Sequence, residues 1–398
     1  MRQLLWHTAW ALIVGTLVAC STGPRQTDSV QEPARPAANI SPPAAKASGL
    51  LAGMPGTPSP QAFYRSRWVA ASWDALPGWQ NDSLQDAWNA WLQNCDRPGP
   101  LFAPLCRDVR QLLLASDDER RIWMMAHLQP YRLEALDGTS DGLLTSYYEP
   151  LFEASAQRRP GFEVPLYAPP DNLAQIKRSG RAWFSRQEID SVAQAQEALR
   201  GHEVAWLSDP LDALILHIQG SGRLRMTQPD GSSRVIRMAF AGSNEQPYQS
   251  VGRWLLDRGY IKDASWTGIK AWIAATQASN PGLVQDMFWS NPRYVFFREE
   301  IRSPQDNDAG PRGAQGVPLT AGRSVAVDKD SVPYATPLWL VSSGPNANLQ
   351  RLVFAQDTGS AIVGAVRADY FAGTGNEAGE FASRMKQNLR LWALWPKP

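Results

Sequence analysis

Phe354-Ala-Gln-Asp-Thr-Gly-Ser-Ala-Ile-Val-Gly-Ala-Val-Arg-Ala-Asp-Tyr-Phe-Ala-Gly-Thr-Gly375 carries two aspartates, Asp357 and Asp369, twelve positions apart. Asp357 follows the apolar run Leu352-Val-Phe-Ala355, which reads as a strand. Asp369 is framed by Ala365, Val366, Tyr370 and Phe371. Apolar neighbours disfavour the charged form of a carboxyl and raise its pKa. Such a group suits proton donation near neutral pH. The interspersed glycines allow tight turns. Asp is also a common turn residue, so the local sequence supports two readings, chemistry or turn.

Outward from this stretch, short apolar runs alternate with Gly and Pro. Strands are expected over 317–320, 324–328, 337–341, 351–355 and 389–395, with a helix over 377–385. Many short strands with such turns point to a small barrel. Upstream, strands are expected over 143–150, 162–167, 204–218, 223–226 and 233–242, and helices from Ser185 and over 250–258, 265–278 and 281–289. Gly220-Ser-Gly222 sits between two apolar runs, both expected as strands, so it reads as a hairpin rather than a dinucleotide loop. On such a strand His217 and Gln219 share a face. Residues 83–135 read as helices. Leu84, Trp88, Trp91, Leu92 and Cys95 line one helical face, with Ser83 and Asp86 as a loose capping box. These tryptophans, like Trp392 and Trp395, read as core.

The N-terminus differs in kind. Arg2 precedes an apolar run over 4–19 that ends in Leu17-Val-Ala-Cys20, a signal peptide closing on cysteine. It is short for a spanning helix. Residues 21–60 are rich in Pro, Ala, Ser, Thr and Gly, and read as a flexible tether. The remaining residues, about 340, suffice for two domains. Hydrophobic content of 43% and charged content of 19% fit a globular body. A net charge of +1 gives no basic field for nucleic acid. Cys95 and Cys106 are within reach of a disulfide in an oxidising compartment, a pairing the sequence leaves open. The three histidines beyond the signal, His127, His202 and His217, show no metal-ligand spacing with the cysteines, so no metal and no cofactor is expected.

Six blocks in order resemble the membrane-bound lytic murein transglycosylase A family. They are Tyr147-Tyr-Glu-Pro150, His217-Ile-Gln-Gly-Ser-Gly222, Tyr248-Gln-Ser-Val-Gly252, Asn291-Pro-Arg-Tyr-Val-Phe-Phe297, the 316–328 segment and the 357–369 segment. The resemblance covers roughly 60–398 and implies an α+β fold, mainly β with helices. It implies a double-psi β-barrel with N-terminal helices, built from 61–143 and 296–398, and an inserted second β-domain over 144–295. The glycan groove would lie between them. It implies cleavage of the MurNAc-β-1,4-GlcNAc bond of peptidoglycan with formation of 1,6-anhydro ends. Asp369 matches the catalytic acid and base, and Asp357 a supporting aspartate. Tyr147, Gln219, Ser221, Gly222 and Asp328 match substrate-groove positions. Ser360 departs from the family's glycine. The segment ending at Cys20 resembles a lipobox, which implies a lipid anchor in the outer membrane, facing the periplasm of a Gram-negative bacterium. Implied partners are glycan strands, the bilayer and cell-wall synthesis proteins. Two rival readings are a two-aspartate cell-wall glycoside hydrolase and a non-catalytic peptidoglycan-binding scaffold.

Overall fold

The computed structural model describes residues 65–227, 231–301 and 309–397. The signal segment, the tether and Cys20 lie outside the described residues. The strands before the middle of the chain are β1 (Arg67–Ala70), β2 (Leu128–Glu134), β3 (Gly142–Glu149), β4 (Leu151–Ser155), β5 (Val164–Tyr167), β6 (Glu203–Leu207) and β7 (Gly222–Thr227). Then follow β8 (Ser233–Ser243), β9 (Val295–Glu299), β10 (Ser324–Val327), β11 (Pro337–Ser343), β12 (Asn348–Asp357), β13 (Arg367–Thr374) and β14 (Lys386–Pro396).

Eight strands form one sheet in the order β1-β2-β14-β11-β12-β10-β13-β3. β14 also pairs with β3, through Lys386↔Thr145 to Leu389↔Gly142, while its later residues pair with β11 and β2. Six strands therefore close on themselves as a small barrel. Two of its pairings, β10 with β12 and β13 with β3, are parallel.

Alternation along each barrel strand fills two cores, because neighbouring side chains point to opposite faces. Val353, Ala355, Leu338, Leu340, Leu391 and Ala393 pack inward with Leu144 and Val325. Leu352, Phe354, Trp339, Trp392 and Leu394 face outward. There they meet Leu84, Trp88 and Trp91 of the helix Leu84–Asn94 and Met124 of the helix Asp117–His127. A strand covered on both faces reads as an unbroken apolar run, as 352–355 does. Trp88 and Trp91 are fully buried, as core tryptophans should be. Cys95 and Cys106 form a disulfide beside this helical layer.

The second sheet runs β5-β6-β4-β7-β8-β9. Sheet membership thus changes at Pro150, with β3 in the barrel, and again after Glu299, with β9 in the second sheet. At the change, Glu149 is fully buried. It pairs with Arg223 Nε at 2.8 Å and Arg237 Nε at 2.7 Å, and accepts from Thr374 Oγ1 at 2.9 Å. One carboxylate joins the end of β3 to β7, β8 and β13.

Several expectations fail. Residues 317–320, expected as a strand, hold only one isolated bridge, Arg312 with Pro318. Residues 204–218 are not one strand: β6 ends at Leu207 and a helix runs Pro210–Gln219. Asp209 caps it by accepting from Leu211 N at 2.8 Å, Pro210 opens it, and Gly220 closes it at φ 79°. Those are helix-boundary residues, and the helix is apolar nearly all round because it is buried, which erases its periodicity. Gly220-Ser-Gly222 accordingly joins a helix to β7 and is no hairpin. Residues 128–134, expected as helix, are β2. Ser83 makes no side-chain cap on the helix Leu84–Asn94, whereas Ser185 and Glu188 form a full capping box.

Candidate active site

Asp357 ends β12 and Asp369 lies within β13, so Asp369 is a strand residue and not a turn residue. The short strand β10 runs between β12 and β13. Its Ala326 is in register with Asp357 on one side and Asp369 on the other. Asp369 is in turn in register with Thr145 of β3. Residues in register across a sheet point to the same face. Asp357, Ala326, Asp369 and Thr145 therefore make one row, with the two aspartate backbones about 10 Å apart across two strand spacings.

Ala326 has only a methyl group. The gap above it is a hollow of about 70 Å³ lined by both aspartates, Tyr147, Ile218, Gln219 and Ile362. The barrel supplies the floor and the helix Pro210–Gln219 of the second sheet supplies the wall. The hollow opens on one side into a cleft of about 310 Å³, between Gln219, Ser221, Phe240 and Arg293 above and Ala314, Thr358 and Ser360 below. Beyond Thr145 and Ser146, a second cleft of about 730 Å³ runs past Asp263, Thr267 and Lys386. The aspartates sit between two open stretches of groove.

Their hydrogen bonding is unequal. Asp357 Oδ1 accepts from Ala314 N and Thr358 N, both at 2.9 Å, and its Oδ2 accepts from Tyr147 Oη at 2.9 Å. Burial still pushes its pKa up to about 6; those three donors oppose the rise and the charge of Asp369 adds to it. Asp369 Oδ1 accepts from Thr145 Oγ1, and Oδ2 has no partner among the described residues. Burial raises its pKa, against the Thr145 hydroxyl and the Arg367 guanidinium. Arg367 Nη2 also donates to Thr145 Oγ1 at 2.8 Å. Tyr147, packed on Phe371 with ring centroids 5.3 Å apart, is held neutral by burial and by the Asp357 charge.

The other expected site residues divide. Gln219 lines both the hollow and the 310 Å³ cleft, and its Oε1 accepts from Tyr148 N at 3.2 Å. Ser221 lines the cleft. Gly222 is buried at the start of β7, where a Cβ would lie 2.3 Å from Leu216 Cδ2 and 3.2 Å from Pro150 O, so a side chain there would have to displace Leu216. Asp328 accepts from Asp330 N at 3.0 Å and Gly364 N at 2.8 Å, which ties down the loop between the two aspartates. His217 and Gln219 both border the 310 Å³ cleft, but from a helix and not from one face of a strand. Two helical residues lie about 200° apart, and His217 is buried between Tyr294 and Phe297. Sequence reasoning missed Thr145, Ala326 and Arg367. Arg367 had a signal, since it lies two residues from Asp369 on one strand. Thr145 and Ala326 had none.

The family model of the MltA specific insert domain matches residues 143–298, and that of the 3D domain matches residues 323–395. Membrane-bound lytic murein transglycosylase A of Escherichia coli (strain K12) is 29% identical over 299 residues, covering 73% of this chain and 75% of the relative. The structure of the lytic transglycosylase LtgG of Burkholderia pseudomallei is 41% identical, covers 84% of this chain and 97% of that one, and superposes with a TM-score of 0.57. The chain belongs to the membrane-bound lytic murein transglycosylase A family. A structure of Escherichia coli MltA with bound chitohexaose is 25% identical, covers 84% of this chain and 96% of its own, and has a TM-score of 0.66. In this member of the family, the MltA insert spans β3 to β9 and contributes Gln219 and Ser221 to the cleft. The 3D domain spans β10 to β14 and contributes both aspartates.

Proposed function

We infer that the chain is a peptidoglycan lytic transglycosylase, with Asp369 as its single acid and base and the groove between two modules, barrel and insert, as its glycan site. The observation that carries the assignment is the asymmetry of the two carboxylates. Burial raises the pKa of both, but Asp357 has both oxygens held by donors, whereas Asp369 is held through Oδ1 alone and its Oδ2 has no partner among the described residues.

A glycan threads both open stretches of groove so that one β-1,4 bond lies over Ala326. Protonated Asp369 gives its proton to the glycosidic oxygen as the C1–O bond breaks, and the leaving chain departs as an alcohol. The C6 hydroxyl oxygen of the same muramic residue then bonds to C1, and its proton passes to the Asp369 carboxylate. The enzyme is regenerated, no water is consumed and the new end is a 1,6-anhydro sugar. Asp357, in its charged form, stabilises the positive charge that develops on the ring. Tyr147 positions Asp357. Gln219 and Ser221 offer amide and hydroxyl groups to the sugar. Asp328 acts indirectly, by ordering the loop that carries Ile362 into the hollow.

Purified sacculi test this reading. Digestion should release muropeptides one water lighter than hydrolytic products, as read by mass spectrometry. Products with reducing ends would establish the hydrolase instead, and no soluble product the scaffold. We further propose that lipid on Cys20 holds the enzyme at the outer membrane, facing the periplasm, where 21–60 tethers it within reach of the wall. Cys20→Ala should move the protein out of the membrane fraction; retention there would refute the anchor.

A further inference from the structure

A cavity of about 640 Å³ lies in the insert, on the opposite side of His217 from the catalytic cleft. That is within the range of small-molecule sites, roughly 300–1,000 Å³. His217 is the one residue that lines both this cavity and the 310 Å³ cleft. It is 5% exposed. Arg186 Nη1 lies 3.0 Å from its Nδ1. A guanidinium only donates, so Nδ1 must accept and the proton sits on Nε2. That Nε2–H is buried and has no partner. Nε2 is closed to solvent, so the Arg186–His217 pair is a fixed wall of the cavity and not a contact for a ligand.

The remaining lining defines the ligand. Trp289, Tyr167 and Tyr294 present aromatic surface. Asp190 stands at the rim with its carboxylate fixed by Trp289 Nε1 at 2.8 Å and Gln285 Nε2 at 3.3 Å. Glu163 is a second carboxylate. Arg186, the cation among them, donates inward to the Asn291 and Arg293 carbonyls at 3.1 and 2.7 Å as well as to His217. Two outward carboxylates repel an anionic stem peptide. They accept from hydroxyls, and aromatic faces pack against the apolar face of a pyranose ring.

We propose that this cavity is a second carbohydrate site, taking an uncharged N-acetylhexosamine unit of a glycan strand, with Asp190 accepting from sugar hydroxyls and the aromatic side chains packing on the ring. The proposal rests on the peptidoglycan reading above. A strand held here keeps the enzyme on the wall between cuts without entering the groove.

The test is calorimetric titration of the full chain in detergent with chitotriose, using Asp369→Asn to prevent turnover. Two classes of site are expected. Asp190→Ala should weaken one of them at least roughly tenfold, the loss typical of a hydrogen bond to a charged group. Asp190→Asn should restore part of that affinity, and Gln219→Ala should weaken only the other class. An unchanged Tm for Asp190→Ala excludes unfolding as the cause; if Tm falls, Glu163→Gln serves as the second variant. A single class of site that responds to Gln219→Ala and not to Asp190 or Glu163 variants would overturn the proposal. The two readings fail separately. Absence of anhydro-muropeptides with the Asp190-dependent site intact removes the lyase, and the converse removes only the second site.

Discussion

Asp357 and Asp369 are in register with one and the same residue, Ala326, from opposite edges of β10. That shared neighbour places both carboxylates over a single small side chain and leaves a hollow of about 70 Å³ between them. The two groups sense each other electrostatically, since the charge of Asp369 raises the pKa of Asp357. Their titration therefore belongs to the pair.

Replacing Asp369 removes the proton donor and leaves the row intact. Asp369→Asn should lower the release of muropeptides by about 10²–10⁴-fold, the usual contribution of a positioned acid and base. Affinity for chitohexaose should change little. Activity within a factor of a few of the parent would assign the acid elsewhere.

The pH dependence follows from Asp357. Its pKa rises from 3.8 to about 6 on folding. A raised carboxyl binds its proton more tightly in the folded state. Its contribution to stability is therefore lost as pH rises from about 4 to 6, and the full deficit persists above. Asp357→Asn should raise Tm at pH 8, with a gain of up to about 3 kcal/mol, and the gain should vanish near pH 4. The mechanism needs the singly protonated pair, in the microstate with the proton on Asp369 and the charge on Asp357, so kcat/KM should be bell-shaped. Asp357→Asn should be slow and should lose the acidic limb. An unchanged acidic limb would mean that Asp357 is not the group that ionises there.

Thr145 tunes the acid. Its hydroxyl donates to Asp369 Oδ1 and stabilises the carboxylate. Thr145→Val keeps the volume and removes that donor, so the Asp369 pKa rises further. The alkaline limb of kcat/KM should move to higher pH. A limb that stays in place would break the link between Thr145 and the catalytic group.

Glu149 binds the two sheets through Arg223 and Arg237. Glu149→Ala leaves guanidinium groups with their partner gone from a buried site. Stability should fall by about 3–5 kcal/mol, measured by urea or thermal unfolding. A loss under about 1 kcal/mol, the value of an exposed pair, would show that the junction is held by packing alone.

Several of these parts were legible in the chain and others were not. The strand 351–355, the tryptophan face of the first helix and the capping box at Ser185 depend on neighbours in sequence, and each was readable. The helix Pro210–Gln219 was misread because burial on every side removes the polar face that makes a period visible. Asp369 was ambiguous for a different reason. β13 buries Ala368 and Tyr370 on one face and turns Asp369 to the hollow on the other, and the glycines around it look like turn residues until the strand pairings are known.

The amino-acid order alone determined that Asp369 would have apolar neighbours in the chain, but on a strand those neighbours point to the opposite face, so its burial was left to the fold. It also specified the alternation of barrel strands and the helix-boundary residues. Only the tertiary structure decided which groups the carboxylates would meet. Thr145 is 224 residues from Asp369, and Tyr147 is 210 residues from Asp357. Nothing local links such pairs. The register of β3, β10, β12 and β13 does, and that register is set by burying the apolar side chains of both barrel faces at once, since a slip of one residue would turn every one of them to the wrong side.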